Sequence, residues 1–129
     1  MLINEYSHTG DFKNPTIHLK TNGVFELSGR SLPENSKNIY EPVIEWLNTY
    51  KENPCSETIL HFKLEYFNTS SSKLLYEIFK ILNEIRTKDF KTTINWYHEK
   101  EDEDFMDEAK FLISNLDLDL TFIEIEEFN

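Results

Sequence analysis

Strand-like and helix-like apolar patterns alternate along most of this chain of 129 residues. Side chains of a strand alternate with a period of about two residues, whereas a helix repeats its apolar face about every 3.6 residues. From about residue 39 to residue 125 the patterns run helix, strand, helix, strand, helix, strand. This order predicts strands joined by helical crossovers, and therefore an α/β fold with a largely parallel sheet.

An antiparallel hairpin is predicted ahead of this alternation. The runs 16-TIHLK-20 and 24-VFELS-28 flank Asn22-Gly23. Asn-Gly between two alternating runs is a strong hairpin signal, because the tight turn requires positive φ values that these residues tolerate. Residues 1–14 are polar and are expected to form a loosely ordered N-terminal arm, followed by a single domain over 15–129.

The remaining elements are predicted from apolar spacing. Residues 29–38 are expected to form a loop, and the first helix is expected to begin near Tyr40, so that Pro42 falls in its first turn. The first helix is predicted to end near residue 51, and two further helices are predicted over about 70–86 and 101–114. The predicted strands are 58–67, 92–97 and 120–125. One face of the first of these strands is predicted to carry Leu60, Phe62, Leu64 and Tyr66. The expected architecture is a mixed sheet of about five strands with helices packed on it, in the order β-β-α-β-α-β-α-β.

The charge of the chain restricts its partners. It has 24 acidic and 13 basic residues, which gives a net charge of −11. A protein that neutralises nucleic-acid phosphates needs the opposite sign, and an anionic membrane would repel this one. We therefore expect protein partners, and neither nucleic acid nor a membrane. The single cysteine, Cys55, and the lack of an apolar run of signal-peptide or membrane-span length predict a cytoplasmic location.

No motif predicts a metal or a cofactor. The acidic run 101–108 lacks the central glycine and ligand spacing of a calcium loop and is read as a solvated helix start. The chain has three glycines and no glycine-rich phosphate-binding motif. Trp46 and Trp96 are expected to be core or rim aromatics. The histidines do not have zinc-site spacing: His8, His18, His61 and His98.

The stretch Asn68-Thr69-Ser70-Ser71-Ser72 joins a predicted strand to a predicted helix. One such residue is enough to cap a helix, so the others are available for another use. They lie at the carboxyl end of a strand, where open α/β sheets carry their functional loops. A phosphate on one hydroxyl would meet free N–H groups of the helix start. Alternatively, a hydroxyl could act as a nucleophile with His61 or His98 as its base.

Three segments of the chain resemble the SiaC family of bacterial regulatory phosphoproteins. They are 32-LPENSKNIYEPVIEWLNTY-50, 64-LEYFNTSSSK-73 and 94-INWYHEKEDEDFMDEAKFL-112. The resemblance spans about residues 16 to 125 and implies a fold similar to STAS domains, the fold of anti-sigma factor antagonists. Residues 97–100 (YHEK) depart from the family, whose members more often carry further acids there.

The resemblance implies a non-enzymatic switch that is phosphorylated at Thr69, the threonine of the family's Asn-Thr-Ser-Ser motif. Asn68, Ser70 and Ser71 would form the partner surface around it. The implied partners are a Ser/Thr kinase, a PP2C-type phosphatase, and a diguanylate cyclase or similar effector. Two alternatives remain open: a small hydrolase-like enzyme that uses a hydroxyl of Thr69–Ser72, and an adaptor protein that is never modified.

Overall fold

The computed structural model describes residues 3–86, 89–100 and 103–128, and over these residues it contains one six-stranded sheet. The strands β1 to β6 span Tyr6–His8, Thr16–Leu19, Val24–Ser31, Glu57–Phe67, Lys91–Glu99 and Asp119–Ile125. The helices α1 to α3 span Ser36–Glu52, Thr69–Arg86 and Glu103–Leu112. The strands lie side by side in chain order, antiparallel from β1 to β3 and parallel from β3 to β6. The α/β prediction is confirmed.

The turn between β2 and β3 is the predicted Asn22-Gly23 turn. Gly23 has a φ of 90°, a left-handed conformation that suits glycine. A Cβ at this position would lie 2.6 Å from the carbonyl oxygen of Glu57, and the N–H of Ile59 donates to the Gly23 carbonyl at 2.8 Å. Glycine therefore serves both the turn and its close packing against the start of β4.

The segment expected to be a loose arm contains the short strand β1, which pairs antiparallel with β2. The indole N–H of Trp46 on α1 also donates to the Asn4 carbonyl at 2.7 Å. This strand raises the count to six from the expected five or so. Three residues give too little alternation to be recognised from sequence alone.

Helix α1 begins at Ser36 and not near Tyr40, so Pro42 lies inside the helix. The predicted loop 29–38 is accordingly shorter, because β3 continues to Ser31. Proline offers no N–H to the carbonyl four residues earlier, which normally disfavours a helix interior. Here Val43 and Leu47 on the apolar face of the helix are almost completely buried, and burial of this kind contributes most of a helix's stability in a protein.

The core lies between the helices and one face of the sheet. Phe62 stacks on Trp96 with ring centroids 4.0 Å apart, and Phe79 of α2 packs on Phe62 at 5.6 Å. From α1, Tyr50 packs edge-on against Phe25 of β3 at 5.1 Å. Trp96 is fully buried, and Trp46 is partly buried beside Tyr50, as expected for core and rim aromatics. None of the helices in the described residues is long and apolar enough to cross a membrane.

The ends of β3 and β4 depart from regular pairing. Leu64 pairs with Gly29, but the next paired residues are Tyr66 and Arg30, so Glu65 is an extra residue on β4. This bulge reverses the alternation of side chains. Tyr66 is consequently 53 % exposed while Phe67 is buried. The prediction that Tyr66 faces the core was wrong, because alternation alone does not reveal a bulge.

Candidate functional site

The hydroxyl run lies at the junction of β4 and α2, and Asn68 caps the helix. The Asn68 side-chain oxygen accepts a hydrogen bond from the N–H of Ser71 at 2.9 Å, which is the usual N-cap contact. The Asn68 N–H in turn donates to the Ser31 carbonyl at 3.0 Å. Thr69 is therefore the first residue of the helix. Because Asn68 makes the cap, the four hydroxyls that follow are not needed for it.

Buried hydroxyls connect this junction to the end of β3 and the start of α1. Ser31 Oγ donates to Ser71 Oγ at 2.8 Å and also lies 2.5 Å from the hydroxyl of Tyr40. Ser36 Oγ lies 2.7 Å from Ser70 Oγ. Burial raises the pKa of Tyr40, and its hydrogen bond with Ser31 opposes this only in part. Ser71, expected to belong to the partner surface, is fully buried and supports that surface from below.

Thr69 differs from its three hydroxyl neighbours. Ser70 and Ser71 bond to other side chains, and Ser72 Oγ donates to the Thr69 carbonyl at 2.7 Å. The Thr69 side chain is exposed, and its hydroxyl makes no hydrogen bond within the part of the chain that the structure describes. Of the four hydroxyls, it is the one that an incoming enzyme can reach without breaking an internal contact.

A cavity of about 330 Å³ opens beside Thr69 between the starts of α1 and α2. Lys73 lies one helical turn after Thr69, on the same face of α2, and Lys37 lies across the cavity on α1. Both helices direct their N-termini, the positive ends of their dipoles, toward this region. The full lining is Glu34, Asn35, Ser36, Lys37, Ser70, Lys73 and Leu74. Two lysines against one glutamate, together with the two helix N-termini, favour an anionic group there.

Two motifs that carry the sequence resemblance meet at this site. The Asn68 amide donates to the Pro33 carbonyl at 3.4 Å, which joins the Asn-Thr-Ser-Ser motif to Pro33-Glu34-Asn35. Ser31, Ser36 and Tyr40 were not predicted as part of the site. Ser36 and Tyr40 lie in the segment 32–50 that carries the family resemblance, and Ser31 lies immediately before it.

The histidines do not form the base that a nucleophile would need. His61 points to the opposite face of the sheet, where its Nδ1 lies 3.2 Å from the hydroxyl of Tyr97. Burial, and then the nearby charge of Lys63, lower the pKa of His61. His98 is buried on β5, with its Nδ1 3.0 Å from the Glu99 carbonyl. Over the described residues, no histidine bonds to the hydroxyl run.

The other candidate groups of the sequence make no contact with Thr69 among the described residues either. Cys55 lies in a partly exposed loop and its thiol donates to the Thr21 carbonyl at 3.3 Å. Among the described residues, no group of three or more His, Cys, Asp or Glu is placed to hold a metal ion. Of the acidic run 101–108, Glu101 and Asp102 lie outside those residues, and so do the side chains of residues 103–106 and 108.

Comparison of the sequence with protein families gives a match over almost the whole domain. The sequence model of the family described as SiaC family regulatory phosphoprotein matches residues 8–125. An uncharacterised protein of Pseudomonas aeruginosa strain UCBPP-PA14 is 28 % identical over 81 residues, which is 63 % of this chain. That alignment covers 64 % of the relative, slightly less than two thirds of its length.

Solved structures share the fold. SiaC of Pseudomonas aeruginosa superposes with a TM-score of 0.86 at 21 % identity, over 95 % of this chain and all of that one. The SiaC structure from the complex of the P. aeruginosa diguanylate cyclase SiaD with its activator SiaC gives a TM-score of 0.84 at 22 % identity. That match covers 93 % of this chain and 99 % of the other. At this level of identity, the likeness establishes the fold alone.

Proposed function

Because this chain belongs to the SiaC family of regulatory phosphoproteins, we propose that reversible phosphorylation of Thr69 switches its binding to a protein partner. The observation that supports this most directly is the state of the hydroxyl run. Thr69 is exposed and without an internal hydrogen bond in the described part of the chain, whereas its three hydroxyl neighbours are engaged.

The proposed partners are a Ser/Thr kinase, a PP2C-type phosphatase and an effector, all in the cytoplasm. A solved relative is the activator of a diguanylate cyclase, and we extend that kind of output to this chain. The protein itself is proposed to be non-enzymatic. In support, the described histidines make no contact with the hydroxyls that a hydrolase-like mechanism would activate.

A phosphate on Thr69 would act through both attraction and bulk. It carries a charge of about −1.5 to −2 at neutral pH. Thr69 is at the start of α2, where unpaired backbone N–H groups and the helix dipole favour an anion, and Lys73 and Lys37 line the adjacent cavity. The modified side chain would cover part of the surface that includes Asn68 and Ser70, and so exclude a partner that packs there.

Mass spectrometry of protein purified from its native cell tests this proposal. We expect a single phosphate on Thr69 in part of the population. Thr69→Ala should abolish it, because the acceptor hydroxyl is removed, while Ser70→Ala should leave it in place. Full phosphate incorporation in Thr69→Ala would refute the assignment. If no growth condition yields a phosphate, the chain is the unmodified adaptor instead.

A further inference from the structure

Two of the exposed large apolar side chains among the described residues belong to neighbours of Arg30, near the end of β3. Among the described residues, the exposed large apolar side chains are Phe12, Tyr66 and Phe111. Phe12 is 74 % exposed, and the Arg30 guanidinium lies 5.3 Å from the centre of its ring. Tyr66 is the residue paired with Arg30 across β3 and β4. We call Phe12, Arg30, Glu65 and Tyr66 the rim patch.

The bulge in β4 is what brings Tyr66 into this patch. Regular alternation after Leu64 would have turned the Tyr66 ring into the core, with the apolar contacts that burial provides. The extra residue Glu65 instead turns Tyr66 to solvent and Phe67 inward. Bulges are often found where a side chain is redirected for a function. Tyr66 is also only three residues before Thr69 in the chain.

Phe12 is held in place by an ordered turn. The Asp11 carboxylate accepts hydrogen bonds from the N–H groups of Lys13 and Asn14, each at 2.9 Å. The N–H of Leu32 donates to the Lys13 carbonyl at 2.7 Å, which ties the turn to the end of β3. Little conformational freedom would be lost when a partner packs on such a turn, so its exposed ring is suited to binding.

Arg30 is fixed as well. Its guanidinium makes two hydrogen bonds to the Glu65 carboxylate, at 3.2 and 3.3 Å. The pair leaves the rim patch without net charge, with the Phe12 ring against a planar cation and Tyr66 on the neighbouring strand. Aromatic residues and arginine are enriched at the energetic centres of protein–protein interfaces.

We propose that the rim patch anchors the protein partner whose binding Thr69 controls, and that this partner presents an apolar surface bordered by basic residues. The net charge of −11 supports a basic partner and opposes a nucleic acid, an anionic membrane or a second copy of this chain. The inference rests on the proposed function. Tyr66 is three residues before Thr69, so their Cα atoms are at most about 11 Å apart, and a partner packed on Tyr66 would be within reach of a phosphate on Thr69.

Site-specific photo-crosslinking in the native cell tests the location of the interface. The photoreactive residue p-benzoylphenylalanine replaces Phe12, Tyr66, Lys73 or Phe111, one at a time. Lys73 lies beside Thr69, and Phe111 on α3 is the matched control, an aromatic that is 82 % exposed. We expect positions 12, 66 and 73 to crosslink to one and the same basic protein, identified by mass spectrometry, and position 111 not to do so. Thr69→Glu should reduce all three adducts.

The outcomes separate this inference from the proposed function. An adduct at position 73 that Thr69→Glu abolishes, without adducts at 12 and 66, leaves the function standing and overturns the rim patch. Adducts with another copy of this chain also overturn it. If no position gives an adduct, the proposed function and the inference fail together.

A substitution within the rim patch provides a second experiment, in which the yield of the crosslinked adduct is measured. With the photoreactive residue kept at position 73, Tyr66→Ser should reduce the adduct by about tenfold or more, as for loss of an interface hot spot. Phe111→Ser in the same background should leave it unchanged. Unaltered thermal unfolding would exclude misfolding as the cause. An adduct that survives Tyr66→Ser at full yield would overturn the inference.

Discussion

At the scale of single residues, Asn68 determines the geometry of the β4–α2 junction. Its side-chain oxygen accepts from the Ser71 N–H and the Ser70 hydroxyl, and its amide donates to the Pro33 carbonyl. We expect Asn68→Ala to lower the free energy of unfolding by about 1–2 kcal/mol, since a helix cap is lost. Asn68→Asp keeps the acceptor and should lose less. Urea unfolding measures both, and equal losses would show that capping is not the cause.

Tyr40 makes the stability of the protein sensitive to alkaline pH. Burial raises its pKa above the ordinary value of 10.0, so above that pH the unfolded chain loses a proton that the folded chain retains. The contribution of Tyr40 to stability is therefore complete below about pH 10 and declines as the pH rises further. Tyr40→Phe should cost about 1 kcal/mol near neutral pH, because Ser31 loses a hydrogen bond.

Above about pH 10 the two proteins should converge, since phenylalanine does not ionise. Thermal unfolding of both proteins across the pH range measures this. Tyr6 and Tyr50 also have raised pKa values, but they are present in both and cancel in the comparison. Parallel stability profiles for the two proteins would contradict the assignment to Tyr40.

At the scale of elements, a comparison of two glycines distinguishes the stability cost of a left-handed backbone from the cost of steric overlap. Gly23 and Gly29 both have a φ of 90°. A Cβ on Gly29 would meet nothing within 4 Å, whereas one on Gly23 would lie 2.6 Å from the Glu57 carbonyl oxygen. Gly29→Ala should therefore cost about 1–2 kcal/mol from the left-handed conformation alone. Gly23→Ala should cost clearly more, and equal denaturant midpoints for the two variants would contradict this account.

Some elements were predictable from sequence because their signals are local. Apolar periodicity and Asn22-Gly23 predicted the hairpin, the helices and the parallel strands. The early start of α1 was missed because Pro42 suggested a later one, and the burial that overrides it is a tertiary effect. The bulge at Glu65 was missed because it depends on pairing with β3.

The candidate site was likewise predictable only in its local features. The residue types of the hydroxyl run predicted a cap and a possible phosphate acceptor, and the family resemblance selected Thr69. The partners that engage its neighbours could not be predicted. Ser31 and Ser36 lie 40 and 34 residues from the serines that they contact, and a single sequence contains no signal for pairing at such distances.

At the scale of the whole molecule, the dominant electrostatic feature is unbalanced negative charge. The chain has 24 acidic and 13 basic residues, an excess of 11. The ion pairs within the described residues join Arg30–Glu65, Lys51–Glu84, Lys63–Glu26 and Lys91–Glu57, and all are partly exposed. Such pairs contribute about 0–1 kcal/mol each, so they do not offset repulsion among the remaining acids.

Salt should therefore stabilise this protein. Raising NaCl from about 20 mM to about 300 mM shortens the screening length and weakens repulsion between acids more than it weakens the close ion pairs. We expect the melting temperature to rise by about 4 °C, which corresponds to about 1 kcal/mol for a domain of this size. The control is the same titration nearer the isoelectric point of 4.7, where the net charge is small and the increase should nearly vanish. A melting temperature that falls with added salt at neutral pH would show that the ion pairs outweigh the repulsion.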